Sequence, residues 1–121
     1  MIDDLAAFIG ARLDEYEARA WAVHDVERCD ALLYAEDMAD AARRDPGCDC
    51  GQPARALRDV AAKQAILADC VRIIGPHRAP SPYASPGTPY GAPAANLAFR
   101  TLRSLASAYD THPDYRREWK P

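Results

Sequence analysis

Two short stretches of this chain hold side chains suited to chemistry. The first, Tyr109-Asp110-Thr111-His112-Pro113-Asp114-Tyr115, sets a histidine between carboxylates. Such a grouping is the raw material of general acid–base catalysis, because an imidazole titrates near neutrality. The second, Cys48-Asp49-Cys50, precedes a predicted helix N-terminus, whose dipole favours thiolate. A dithiol of that spacing can take a soft metal or close a strained disulfide. Each stretch lacks its complement. No nucleophile, phosphate loop or metal motif accompanies His112, and Asp49 disfavours thiolate with no histidine nearby. No catalytic residue is assigned on these grounds, and Cys48 and Cys50 stand as weak metal candidates. His112 and Asp114 are expected to order a turn whose aromatics fill a core edge. His24 and His77 are isolated.

The other two cysteines do not complete a metal site. On predicted helices, Cys29 falls about 21 Å from the Cys48 loop and Cys70 about 25 Å, at ~1.5 Å of rise per residue. The spacing also lacks the paired C-x₂₋₄-C blocks of structural zinc sites. Cys29 and Cys70 are expected to be small buried hydrophobes facing each other.

Amphipathic helices must position these groups. Ile2, Leu5, Ile9, Leu13, Tyr16 and Ala20 recur at three- and four-residue steps, with Asp3 and Asp4 in the first turn. Between Trp21 and Tyr34 the pattern is ambiguous. Trp21–Val26 reads as a short strand, whereas Ala22, Val26, Cys29 and Leu33 repeat at helical spacing. A break near 23–26 is expected, then helix to Arg44, stopped by Asp45-Pro46-Gly47. Pro53 opens the next helix, with Leu57, Val60, Leu67, Val71 and Ile74 on its main face, widened by Ile66, Cys70 and Ile73. Asp59 and Lys63 are placed to pair on its wet side, and Gly75-Pro76 ends it. Pro76 to Pro93 carries six prolines and reads as an extended linker. Its Pro86-Gly87-Thr88-Pro89 fits the PxxP pattern, which is cheap in any such run. A last helix is predicted over about 94–109, with Ala98, Leu102, Leu105 and Tyr109 inward. Thr111 and Asp114 then have capping-box spacing.

The fold class expected is therefore mainly α, with three to four helices: an antiparallel helical hairpin over 1–74, the Pro-rich linker over 75–93, and a C-terminal helix and aromatic tail over 94–121. At 121 residues these form one domain by size. No apolar run approaches the ~18–20 residues needed to span a bilayer, and the acidic start is unlike a signal peptide. A cytoplasmic location is expected. Residues 1–40 hold eleven acidic and three basic side chains, while 41–121 hold seven and twelve. This split favours an acidic helix packed beside a basic remainder over a nucleic-acid surface, since the basic residues cluster no further than Arg43-Arg44 and Arg116-Arg117.

Three blocks carry a family resemblance. They are Leu5–Glu15, then Ala41–Pro46 continued by Pro53–Lys63, and above all the tail Thr101–Pro121 with its Leu-x-x-Leu-Ala…Tyr-x-x-His-Pro-Asp-Tyr-x-x-x-Trp pattern. The chain resembles a domain-of-unknown-function family of short proteins from actinobacteria and their phages. The resemblance supplies no catalytic residue. Gly47–Gln52 looks like an insertion relative to that family, so Cys48 and Cys50 inherit no role from it.

Taken together, these features predict a small non-enzymatic helical protein that binds another protein or a second copy of itself, with no cofactor. Tyr109, His112, Asp114, Tyr115 and Trp119, together with the acidic first helix, are its interaction candidates. The alternatives are a metal- or redox-responsive module at Cys48 and Cys50, and a weak nucleic-acid binder using Arg43, Arg44, Arg55, Arg58, Arg116 and Arg117. Trp119 is expected to fold back onto the N-terminal or central helices through a reversal at His112-Pro113.

Overall fold

The computed structural model describes residues 2–20, 52–77, 81–85 and 88–121. The chain is mainly helical there. Helix α1 spans Ile2–Arg19, α2 spans Gln52–Ile74 and α3 spans Pro93–Ser107. One-turn 3-10 helices follow at Gly75–His77 and Arg117–Trp119. Among the described residues the β pairing is a single isolated bridge, Ser85 with Thr88. The predicted break and helix over 21–44, the hairpin it would form, and Cys29, Cys48 and Cys50 lie outside the described residues.

Two compact units divide the chain: Met1–Arg12 with Gln64–Pro121, and Leu13–Lys63. In the second, Leu13, Ala20 and Val60 are buried, and Lys63 Nζ donates to Asp59 Oδ2 at 2.6 Å as the i, i+4 spacing predicts. Tyr16, expected inward, is 47% exposed. A tyrosine tolerates that position because its phenol tip stays hydrated while the ring covers apolar surface.

The first unit holds the larger core. Ile2, Leu5, Phe8 and Ile9 of α1 are buried, as are Cys70 and Ile74 of α2 and Ala95, Ala98, Phe99, Leu102 and Ala106 of α3. Ile66 and Ile73 were expected to widen the inner face of α2, but they are 42% and 37% exposed. The 3.6-residue period explains this: Cys70 and Ile74 already define the buried stripe, and Ile66 and Ile73 fall beside it. Within this unit α1 approaches α2 at Gly10, where a Cβ would meet Leu67 Cδ2 at an ordinary 3.9 Å. The close approach does not require glycine, so Gly10 leaves α1 with its intrinsic helix cost of roughly 1 kcal/mol relative to alanine.

Helix α3 begins with proline at its first turn, as the fixed φ of proline favours. Its N-cap residue, Ala92, offers no side-chain cap. Asn96 instead reaches back to residue 90. Its Oδ1 accepts from the Tyr90 amide at 2.9 Å, and its Nδ2 donates to the Tyr90 carbonyl at 2.8 Å. This bidentate clasp fixes the end of the Pro-rich segment. Tyr90 is 5% exposed and packs edge-on against Phe99, with ring centroids 5.6 Å apart. The segment is further closed by Ala84 N–H to Ser81 O at 3.0 Å, Thr88 N–H to Ser85 O at 2.9 Å and Ser81 N–H to Pro89 O at 2.8 Å. Thr88 and Pro89 are thus committed to backbone bonds, whereas a PxxP ligand presents an extended backbone without internal ones.

Candidate functional site

The chain beyond α3 returns to the first helix, and the residues that receive it lie on one stripe of α1. Asp4, Phe8 and Arg12 follow each other at four-residue intervals, so they stack along one helix face. Phe8 is the centre. Its ring lies 5.0 Å from that of Trp119, 5.7 Å from His112, 6.0 Å from Tyr115 and 6.3 Å from Tyr109, centroid to centroid. The pairings with Tyr109, His112 and Tyr115 are edge-on, which suits the quadrupoles of aromatic rings. Tyr115 also meets Trp119 edge-on at 6.0 Å.

Cations cover both ends of this cluster. The Arg12 guanidinium sits 5.3 Å from the Phe8 centroid, and its Nη1 lies 2.8 Å from His112 Nδ1 and also contacts Nε2. It stands 3.9 Å from Asp114 Oδ2. At the other end, Arg116 lies 5.2 Å from the Trp119 ring and donates to Asp4 Oδ2 at 2.9 Å. A guanidinium over an aromatic face is worth roughly 0.5–2 kcal/mol depending on desolvation, and exposed ion pairs add at most about 1 kcal/mol. Aromatic burial therefore dominates this assembly, and the charges set its register.

The predicted reversal is a four-residue turn. The Tyr115 amide donates to the His112 carbonyl at 2.9 Å, with Pro113 at the second position, where its fixed φ suits a β-turn. The Asp114 amide donates to His112 Nδ1 at 3.1 Å, so the imidazole caps the turn in place of the Thr111 and Asp114 box expected from spacing.

The five interaction candidates separate on this geometry. Trp119 is 2% exposed, and Tyr109, His112 and Tyr115 are half-buried against Phe8. Asp114 is exposed. The ring nitrogens of His112 already face Arg12 and the Asp114 amide, an arrangement that holds a turn rather than presenting a base to a substrate. Tyr115 Oη and Trp119 Nε1 are among the cluster's polar atoms buried without a hydrogen-bond partner among the described residues. Phe8, with Asp4 and Arg12, lies outside the apolar stripe that the spacing predicts, because that stripe follows the aliphatic positions beside it. The four-residue recurrence of acid, aromatic and base was the available signal.

Of the metal candidates, Cys48 and Cys50 lie outside the described residues. Cys70 is buried, and burial followed by the nearby Asp69 carboxylate pushes its thiol pKa up, the reverse of an activated cysteine. Among the described residues, no three histidine, cysteine or carboxylate side chains converge on a common point. Among them also, no helix is long and apolar enough to cross a membrane.

No curated protein and no solved structure matches the chain. The pattern of DUF6221, described as a family of unknown function, matches residues 2–121, essentially the whole sequence and all three blocks on which the resemblance rested. The chain therefore belongs to the DUF6221 family.

Proposed function

We propose that this protein is a non-enzymatic helical module that binds another protein, in the cytoplasm of an actinobacterium or of a cell infected by its phage. The observation that carries this reading is Tyr83. Its side chain is 93% exposed, yet the backbone around it is closed by the Ser81–Ala84 bond, and its own amide donates to Ser81 Oγ at 3.2 Å. An aromatic held out on a hydrogen-bonded turn loses little conformational entropy when a partner covers it, which is the economy of preorganised recognition. Tyrosine is also among the residues that most often dominate interface energetics. Leu97 of α3, 63% exposed, is a second apolar group available to a partner. The aromatic tail, by contrast, is engaged with Phe8, so the recognition surface moves from Trp119 to the Pro-rich turn.

A photo-crosslinking amino acid at position 83, in cells of the source organism, tests this. A protein adduct of defined mass is expected, and it should disappear with Leu97→Ser or with excess non-photoreactive parent protein, but persist with an excess of Tyr83→Ala that melts like the parent. A strictly monomeric protein by light scattering, with no specific adduct at position 83, would remove the reading.

A further inference from the structure

The far side of the tail bears a cleft that packing alone does not explain. It encloses about 660 Å³ and is lined by Ser107, Asp110, Tyr115, Arg117, Lys120 and Pro121, all within the first unit. Small-molecule sites typically occupy ~300–1,000 Å³. Its charged side chains differ from most in the unit by converging on one cavity without a protein partner; Arg100 also lacks a partner among the described residues but does not line the cleft. In the same unit Arg12, Arg72, Arg103 and Arg116 each engage a protein acceptor. Arg117, Lys120 and Asp110 make no side-chain hydrogen bond or ion pair among the described residues, although all three border one cavity. Ser107 Oγ spends its proton on the Ser104 carbonyl at 2.7 Å and is left able to accept. The Tyr115 hydroxyl is buried with no partner among the described residues.

These features describe a ligand. Arg117 and Lys120 outweigh the single Asp110 carboxylate and favour an anionic group at their end of the cleft, and the guanidinium fork suits phosphate oxygens. Asp110 and Ser107 repel that anion and instead accept from hydroxyl or amino groups on the remainder of the molecule. The Tyr115 ring offers a flat wall. We infer that this cleft binds a small phosphorylated ligand whose body is a planar ring bearing hydroxyl or amino groups, the chemistry of a nucleoside monophosphate. Arg117 and Lys120 hold the phosphate, and Asp110 and Ser107 take hydrogen bonds from the body.

Amide NMR titration of the full chain tests the assignment, with the four ribonucleoside monophosphates, adenosine, and inorganic phosphate as probes. At least one monophosphate should shift the amides of Ser107, Asp110, Tyr115, Arg117 and Lys120 saturably. Adenosine and inorganic phosphate should bind roughly tenfold more weakly or less, since each lacks one half of the recognition. Arg117→Ala and Lys120→Ala should each weaken binding by roughly tenfold. Arg117 and Lys120 are exposed, so their removal spares the core, and unchanged spectral dispersion confirms that fold. Three results would each overturn the inference: no saturable shift with any monophosphate, adenosine matching adenosine monophosphate, or inorganic phosphate matching it.

Discussion

Both phenylalanines of this chain gather aromatic partners, but from very different distances in sequence. Phe99 takes Tyr90 from nine residues upstream and Arg103 from one turn downstream, whose guanidinium lies 5.6 Å from its ring. Phe8 takes Tyr109, His112, Tyr115 and Trp119 from the opposite end of the chain. The Phe99 cluster closes a short loop and is secured by the two-pronged Asn96 clasp on Tyr90. The Phe8 cluster must close a loop of about a hundred residues, whose entropy is larger though it grows only logarithmically with length. It carries correspondingly more rings and a charged group at each end. Arg103 joins the two, donating from Nε to the Trp119 carbonyl at 3.4 Å while stacking on Phe99. Local order is thus held by a few directed hydrogen bonds, and the long-range closure by aromatic area.

The sharpest way to break this comparison is to delete residues 112–121. The loss should reach at least the ~3–5 kcal/mol of emptying one large aromatic site, against a typical total of ~5–15 kcal/mol. It should appear as a markedly lower melting temperature and new dye-binding apolar surface around Phe8. A truncated protein that melts like the full chain would show that the long-range cluster contributes nothing, and would return Trp119 to the list of free recognition groups.

A smaller effect should come from the local cluster. Asn96→Ala removes both bonds to Tyr90 and leaves a part-buried amide without its acceptor, at a cost of about 1–3 kcal/mol. Asn96→Asp keeps the acceptor and should recover part of the loss. Chemical denaturation measures both. If Asn96→Ala is neutral, the Pro-rich segment is held by the Tyr90 ring alone.

The smallest effect distinguishes the clusters by pH. Burial, and secondarily the Asp3 carboxylate, raise the Tyr90 phenol above its ordinary range. The folded state therefore holds that proton more tightly than the unfolded chain. Stability from this source is intact below the unfolded phenol value of about 10 and is lost as pH climbs through the folded-state value. The denaturant midpoint should fall above pH ~10 more steeply for the parent than for Tyr90→Phe. Coincident curves would mean that Tyr90 is hydrated in solution.

Much of the helical architecture was legible in the residues themselves. Ile2, Leu5, Ile9 and Leu13 are buried as their spacing predicts, Ala98 and Leu102 face inward on α3, and Asp59 meets Lys63. The return of Trp119 through His112 and Pro113 was also legible, because a large indole beyond a turn signal has few ways to leave water. Tyr90 was less so. Its anchor partner, Asn96, is separated from it by Gly91, Ala92 and Pro93, a stretch that reads as linker, and a side-chain clasp onto the backbone leaves no periodic trace.

The sequence by itself determined the helices over 2–19, 52–74 and 93–107, the aliphatic positions such as Leu5, Ile9 and Leu102 that they bury, and that the aromatic tail must be covered, since these follow from periodicity, proline geometry and apolar area. The tertiary structure alone decided that Phe8 receives the tail, that Asp4 and Arg12 choose its register, and that Arg117, Lys120 and Tyr115 border one cleft with Asp110. The reason is physical. Local propensity acts through neighbours a few bonds away, whereas a docking partner is selected by the shape and charge of surfaces that meet only once the chain has closed.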